Sequence, residues 1–152
     1  MPRLDYYKIE EAIQTILKAD TSLVGVHVEV EDEVIFGAES CPWLGIYLMS
    51  RSASSHLQGL SAGQRTRFQL NFSLWAWEYS LESQKDVMQR RDDLIGKVEV
   101  VLMNNRTLSV EGVDNVAHLW LDGGDMSGGR DEKGWISGGE IKVIAEAVSS
   151  TT

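Results

Sequence analysis

The sequence GLSAG, Gly59–Gly63, places Ser61 in the G-x-S-x-G pattern of a serine nucleophile. In hydrolases that use this pattern, the serine follows a strand and precedes a helix. Here a polar loop is predicted before Ser61 and a strand after it, and His56 precedes the serine where a triad histidine would follow it. A chance match in a loop rich in serine and glycine is therefore the favoured interpretation, and a small serine hydrolase is a minor alternative.

The remaining candidates for nucleophilic or metal chemistry are Cys41 and the histidines His27, His56 and His118. They are far apart in the sequence and lack the H-x-x-x-H or C-x-x-C spacing of zinc sites. A single cysteine also excludes an internal disulfide, which is typical of a reducing compartment. We expect no catalytic residue, no metal and no cofactor.

Two clusters of acidic residues could in principle hold a divalent cation. One is Glu29, Glu31, Asp32 and Glu33, and the other lies in the glycine-rich segment 122–132. Neither has the spacing of an EF-hand loop, and the glycine run lacks the G-K-S/T ending of a phosphate loop. Both clusters are therefore predicted to be acidic surface that faces solvent or a lumen, with a weak divalent-ion site as a minor alternative.

Composition describes an ordinary globular chain. Its 152 residues fit one domain spanning 1–152, with 43% hydrophobic and 24% charged residues. No apolar run is long enough to span a membrane, and the N-terminus has no apolar core of a secretory signal. A net charge of −9 argues against tight binding of a nucleic-acid backbone.

Two amphipathic helices and several strands must position these residues. Apolar residues at helical spacing predict helices over 6–19, with Asp5 as N-cap, and over 83–104, with Ser83 and Asp86 as a capping pair. Alternating patterns predict strands over 24–30, 116–122 and 139–148.

The stretch RFQLNFSLWAWEYS, residues 67–80, predicts a strand with two different faces. Its even positions are apolar, whereas its odd positions begin polar and end in Trp75, Trp77 and Tyr79. Residues 43–79 are predicted to form a long hairpin with a flexible tip at about 51–64, and a second flexible loop is predicted at 123–139. The aromatic side chains are covered either by the second helix or by another copy of the chain.

The order of these elements predicts an α+β fold, with a mostly antiparallel sheet that contains a long hairpin and packs against two main helices. The segments IEEAIQTILKAD, CPWLGIYLMS, RFQLNFSLWAWE and SQKDVMQRRDDLIGKVEVVL, followed by a final hairpin, resemble the tail terminator proteins of long-tailed bacteriophages. The resemblance covers about residues 5–148. It is architectural and implies no catalytic residue.

The resemblance implies a structural virion protein that forms a hexameric ring on the tail tube. Such a ring stops tube polymerisation, joins the head connector and lets DNA pass through, at the head-proximal end of the virion tail after assembly in the host cytoplasm. In this interpretation Trp75, Trp77 and Tyr79 contact the neighbouring subunit, and Glu31, Asp32 and Glu33 line the lumen. Candidate residues for docking tube or connector proteins lie in the two loops: Arg51, His56, Leu57, Leu60 and Arg65, then Met126, Arg130 and Trp135.

Two further alternatives remain at this stage. A head-completion or connector-stopper protein of the neck would also be a small ring former, and it differs in binding the portal side rather than the tube. A monomeric ligand-binding domain would show no concentration-dependent assembly.

Overall fold

The computed structural model describes residues 5–32, 40–53, 65–108 and 116–150. The helices are α1 Tyr6–Ala19 and α2 Gln84–Met103, with a short 3-10 turn at Thr21–Leu23. The strands are β1 His27–Val30, β2 Trp43–Ala53, β3 Arg65–Ser80, β4 Val116–Leu121, β5 Met126–Arg130 and β6 Trp135–Ser150.

The six strands form one sheet in the order β1-β2-β3-β6-β4, and β5 pairs with the first part of β6 beyond the end of β4. All pairs are antiparallel except β1 with β2, which is parallel. The α+β prediction is confirmed, as is the long hairpin, because β2 and β3 pair from Trp43 with Trp77 to Ala53 with Phe68.

Both helices begin where the sequence predicts. The Asp5 side chain accepts a hydrogen bond from the backbone N–H of Lys8, and Ser83 accepts one from Asp86. Along α2, Asp86 pairs with Arg90 and Asp93 pairs with Lys97, each one turn later at 2.9 Å. Neither helix in the described part of the chain has the length and apolarity that a membrane crossing requires.

The core lies between the helices and one face of the sheet, which we call the helix face. The even-numbered side chains of β3 lie on it, and Leu70, Phe72 and Leu74 are at most 1% exposed. They belong to the same buried cluster as Leu94 and Val98 of α2. The expectation that α2 covers Trp75 or Trp77 is therefore wrong, because these odd-numbered residues lie on the opposite, outer face.

The prediction of a loop over 123–139 is wrong for most of its length. Residues 126–130 form β5 and residues 135–139 begin β6, joined by a tight turn in which Asp131 accepts hydrogen bonds from the N–H groups of Lys133 and Gly134. The glycines here serve close packing: a Cβ at Gly138 would overlap the Trp77 ring, and one at Gly139 would overlap Ile95. Absence of side chains was thus a requirement of tertiary packing and not a mark of a loop.

The other predicted loop lies mostly outside the described residues. Residues 51–53 extend β2, and 54–64, with Ser61, His56, Leu57 and Leu60, are not described. The strand predicted over 24–30 is shorter, since β1 begins at His27, after Gly25 with a positive φ of 88°.

Candidate assembly surface

The outer face of the sheet divides into a polar half and an aromatic half. At the polar end Arg67 pairs with Glu146 at 2.9 Å, and Asn71 donates a hydrogen bond to Ser50. Ser73 marks the boundary, with its hydroxyl donating to Glu140. The change from polar to aromatic side chains that the sequence predicted therefore occurs along β3 on a face that neither α1 nor α2 covers.

Trp75 and Trp77 form the exposed part of the aromatic half. Their rings stack with centroids 5.5 Å apart and planes inclined by 16°, and both side chains are half-buried. Trp77 also lies opposite Trp43 in the register, and its ring covers Gly138 of β6. Packing on glycine holds the Trp77 ring flat against the sheet, so that a broad apolar surface faces outward.

Tyr79 differs from the two tryptophans because its side chain is buried and its hydroxyl has a hydrogen-bond partner within its own subunit. It is 7% exposed, and its hydroxyl donates to Asp131 at 2.7 Å. This hydrogen bond raises the pKa of Tyr79 and lowers that of Asp131. Tyr79 thus ties β3 to the β5–β6 turn and offers little area to another protein.

Three of the predicted docking residues line one groove on the helix face. Met126, Arg130 and Trp135 border a groove of about 580 Å³ between the β5–β6 hairpin and the first half of α2. The Arg130 guanidinium lies 4.9 Å from the centroid of the Trp135 ring, a cation–π arrangement. Met126 is 56% exposed, so the groove has an open apolar wall.

The opposite wall of this groove comes from α2, and sequence reasoning missed it. Arg91 donates from its guanidinium to Ser137 of β6 at 2.9 Å and to Asp92 on its own helix. Met88, one turn earlier, is 38% exposed. Their spacing of three residues places them on one side of the helix, but only the packing of α2 on β6 shows that this side meets the hairpin.

The other docking candidates lie at the far end of the long strands. Arg51, near the end of β2, has its guanidinium 5.5 Å from the centroid of the Tyr6 ring at the start of α1. Arg65 begins β3 and is paired in register with Ser150. Trp135, by contrast, pairs with Ser80. Arg65 and Trp135 are therefore at opposite ends of the 16-residue β3, roughly 50 Å apart, and Arg51, which pairs with Leu70, lies roughly 33 Å from the Trp135 end.

The acidic turn after β1 is more constrained than a freely solvated surface. Glu31, at a positive φ of 52°, accepts a hydrogen bond from the N–H of Leu48, and the Tyr47 hydroxyl donates to the carbonyl oxygen of Asp32. Glu31 and Asp32 are exposed, and Glu33 lies outside the described residues. These contacts fasten the turn to β2, the neighbour of β1.

Beneath this turn lies Glu10 of α1, which is 3% exposed. Burial raises the pKa of Glu10 to about 8, and a hydrogen bond to Glu31 together with repulsion from it adds to the shift. The Glu10 carboxyl is therefore largely protonated at neutral pH and can donate a hydrogen bond to a carboxyl oxygen of Glu31. No sequence pattern predicts this pair, since the two residues are brought together only by the packing of α1 on β1.

Catalytic and metal candidates are not brought together. His27 and His118 are both exposed, and the His118 ring stacks on Trp120 at 5.6 Å. Cys41 is partly buried at the entry to β2, and Ser61 and His56 lie outside the described residues. Within residues 5–32, 40–53, 65–108 and 116–150, no three acidic, histidine or cysteine side chains form a cluster that could hold a metal ion.

Comparison with known proteins gives a structural match only. No family model matches the sequence, and no curated protein is similar to it. Among solved structures, the fold is similar to the sheath/tube terminator of an extracellular contractile injection system, PVC, determined by cryo-EM in the extended state. The match has a TM-score of 0.54 at 14% identity and covers 100% of this chain and 61% of that protein. The two chains thus share a fold, and this chain spans about three fifths of the length of that protein.

Proposed function

We propose that this protein is a structural terminator subunit that caps a tail tube, stops its polymerisation and presents a surface to the next component. The observation that carries the proposal is the fold shared over the whole chain with a sheath/tube terminator. The tube would belong to a bacteriophage tail or to a related injection system. No enzymatic activity is part of this function.

The arrangement of the candidate docking residues supports a role between two partners. A terminator has to contact the tube on one side and a connector or neck protein on the other. The groups around Arg51 and around Arg130 lie at opposite ends of the long strands, so that one subunit could serve both contacts. Residues 54–64, which include His56, Leu57 and Leu60, adjoin the Arg51 end in sequence.

The outer face supports assembly into a ring, proposed to be a hexamer. Trp75 and Trp77 present half-buried aromatic surface on a sheet face that α1 and α2 leave uncovered. Aromatic residues are enriched at the cores of protein interfaces. In a ring the interface is head-to-tail, and the aromatic pair would therefore meet a different surface of the neighbouring copy.

The charge of the protein supports passage of DNA through such a ring without binding. The net charge is −9, and the acidic residues Glu31 and Asp32 are exposed. We propose that these residues, with Glu33, contribute to an acidic lumen that repels the phosphate backbone. The site of action would be the head-proximal end of the tail, after assembly in the cytoplasm of the host.

Binding to purified tube protein tests the function. We expect the protein to bind the ends of preassembled tubes and to stop their elongation when added during polymerisation. A variant with Arg51→Glu and a variant with Arg130→Glu should separate the two docking ends, since only one of them should lose tube binding. Binding to a portal-side ring protein in place of the tube would identify a connector stopper, and binding to neither would overturn the proposal.

A further inference from the structure

One edge of the sheet is an open strand among the described residues. β5 pairs with β6 alone, and all five of its residues are exposed. Asp125 and Asp131 form backbone hydrogen bonds on the β6 side. Alternation therefore turns the N–H and C=O groups of Met126, Gly128 and Arg130 away from β6. These outward groups can pair with an extended segment of another protein.

The side chains of the same three residues lie on the helix face, beside the groove. A Cβ at Gly139, which pairs with Met126, would meet both the Met126 sulfur and Ile95 of α2. The alternation of β5 then places Arg130 on this face as well. Gly128 lies between them and has no side chain, so that a gap separates Met126 from Arg130 along the strand.

Apolar side chains border the gap over Gly128. Met88 of α2 and Met126 of β5 are both exposed, and Trp135 of β6 lies beneath the Arg130 guanidinium. Methionine side chains are flexible and pack against varied partners. A large apolar side chain placed over Gly128 would therefore bury surface on both walls of the groove.

The groove is positively charged in a protein whose net charge is −9. Arg91 and Arg130 are the charged residues among the described ones that line it. Arg130 lies over the Trp135 ring and forms no ion pair with a described residue. Arg91 is 14% exposed and uses part of its guanidinium on Asp92 and Ser137, and its other N–H groups have no partner in the described part of the chain. Guanidinium groups with unused donors favour carboxylate ligands.

The acidic neighbours of β5 are held on the opposite face of the sheet. Asp131 accepts hydrogen bonds from the Tyr79 hydroxyl, on the outer face, and from the N–H groups of its own turn. The Asp125 N–H donates to Glu140, whose carboxylate also accepts from Ser73 on the outer face. These carboxylates therefore leave the Arg130 side of the strand to an acidic group from a partner.

From these observations we infer that the groove binds an extended acidic segment of the tube protein, which adds a strand to the β5 edge. The segment pairs through its main chain with Met126, Gly128 and Arg130. Cross-strand neighbours define its side chains: a carboxylate lies beside Arg130, and a large apolar side chain covers Gly128. The inference rests on the proposed function, in which the tube is capped, and names the kind of segment that this groove recognises.

Peptide binding to the full chain tests the recognition. The probe is a fluorescein-labelled peptide of sequence Thr-Glu-Thr-Phe-Thr-Glu-Thr. With its phenylalanine over Gly128, this palindromic sequence places a glutamate beside Arg130 in either strand direction. We expect saturable binding by fluorescence anisotropy. The control peptide, with lysine at both glutamate positions, should bind on the order of tenfold more weakly or less.

Charge reversal in the protein tests the carboxylate contact. Arg130→Glu should weaken binding of the acidic peptide on the order of tenfold or more, and the lysine peptide should then bind better than the acidic one. Lys133→Glu makes the same change of charge in the neighbouring turn and should leave the preference for the acidic peptide in place. Circular dichroism of both variants would verify that the fold is retained.

A proline at Gly128 tests the main-chain contact. The Gly128 N–H points away from β6, so Gly128→Pro removes a donor that the β5–β6 pairing does not use. This variant should bind the acidic peptide on the order of tenfold more weakly. Gly128→Ala also adds a Cβ but keeps the N–H, and it should bind more tightly than the proline variant.

The outcomes separate this inference from the proposed function. Equal binding of the two peptides, or binding of neither, would overturn the inference. Tube binding that survives both Arg130→Glu and Gly128→Pro would also overturn it and leave the proposed function standing. Loss of self-association in these variants, with tube binding intact, would assign the groove to a second copy instead. Binding of the acidic peptide by a protein that does not bind tubes would support the recognition and contradict the proposed function.

Discussion

The two faces of β3 differ in what completes them. On the helix face, Phe72 and Leu74 are at most 1% exposed, because α1 and α2 supply a matching apolar layer. On the outer face, Trp75 and Trp77 stack on each other and on the neighbouring strand, yet remain half-buried. The comparison shows that one face is completed by folding, whereas the other retains apolar surface that a further protein could bury.

Two adjacent glycines of β6 repeat this contrast at the level of single atoms. Gly139 lies under Ile95 on the helix face, and Gly138 lies under Trp77 on the outer face. Both positions demand the absence of a Cβ, but the side chain above Gly139 is fixed by α2. The ring above Gly138 lies on the outer face, which neither α1 nor α2 covers.

Truncation of the core should have the largest effect on the monomer. Phe72→Ala leaves a cavity in a fully buried cluster and should cost about 3–5 kcal/mol in the free energy of unfolding. Asn71→Ala, the adjacent residue on the outer face, should cost less than about 1 kcal/mol, because it removes a hydrogen bond between exposed side chains. Urea denaturation of both variants measures the difference, and equal losses would contradict the division into two faces.

Substituting alanine for Gly138 and for Gly139 should show how firmly the side chain above each glycine is held. Gly139→Ala forces Ile95 and α2 outward and should destabilise the protein by about 1–3 kcal/mol. Gly138→Ala should cost less, because neither helix packs on Trp77, and it should change the tryptophan fluorescence. A Gly138→Ala variant as unstable as Gly139→Ala would mean that Trp77 is held as firmly as the core.

The free energy of unfolding should depend on pH because of the buried Glu10 carboxyl of α1. The pKa of Glu10 is raised from 4.5 to about 8, so the folded protein binds a proton that the unfolded chain releases. The free energy of unfolding should therefore fall as the pH rises from about 4.5 to 8, by at most about 1.4 kcal/mol per pH unit from this group.

The glutamine variant of this residue isolates its contribution. Glu10→Gln should remove this part of the pH dependence, and Glu11→Gln, the exposed neighbour, should retain it. Chemical denaturation at several pH values checks the expectation. A wild-type stability that does not change across this range would contradict the buried protonated carboxyl.

The helices and β3 were predictable because a local sequence pattern specifies each of them. Helical spacing and the capping residues Asp5 and Ser83 fixed the helix ends to within a residue. Strict alternation identified β3. By contrast, β5 has the sequence MSGGR, in which no apolar residue alternates, because an exposed edge strand buries no face.

The candidate site was predictable only in parts. Tryptophans on one face of a strand can be read from the sequence, and the glycine-rich hairpin carried Met126, Arg130 and Trp135 as docking residues. Arg91 could not be assigned to their groove, because the sequence does not show which side of α2 faces β5. The coupling of Glu10 to Glu31 also depends on long-range packing.

A modest effect on the monomer, with a large effect on assembly, is expected at Trp77 on the outer face. Trp77→Ser removes half-buried surface and should cost the monomer about 1–2 kcal/mol, less than truncation of Phe72. Its assembly should weaken on the order of tenfold or more, since aromatic residues contribute most at interfaces. Analytical ultracentrifugation of the unmodified protein and of Trp77→Ser would measure the assembly. An intact oligomer of Trp77→Ser would exclude the aromatic contact between subunits.

The mass of the unmodified protein in solution tests most directly whether the outer face assembles the chain into a ring. Native mass spectrometry over a dilution series should detect a closed oligomer, with six copies of the 16.9 kDa chain giving about 101 kDa. Electron microscopy of that species should show a central channel. A monomer at every concentration, both alone and with purified tube protein, would contradict the account.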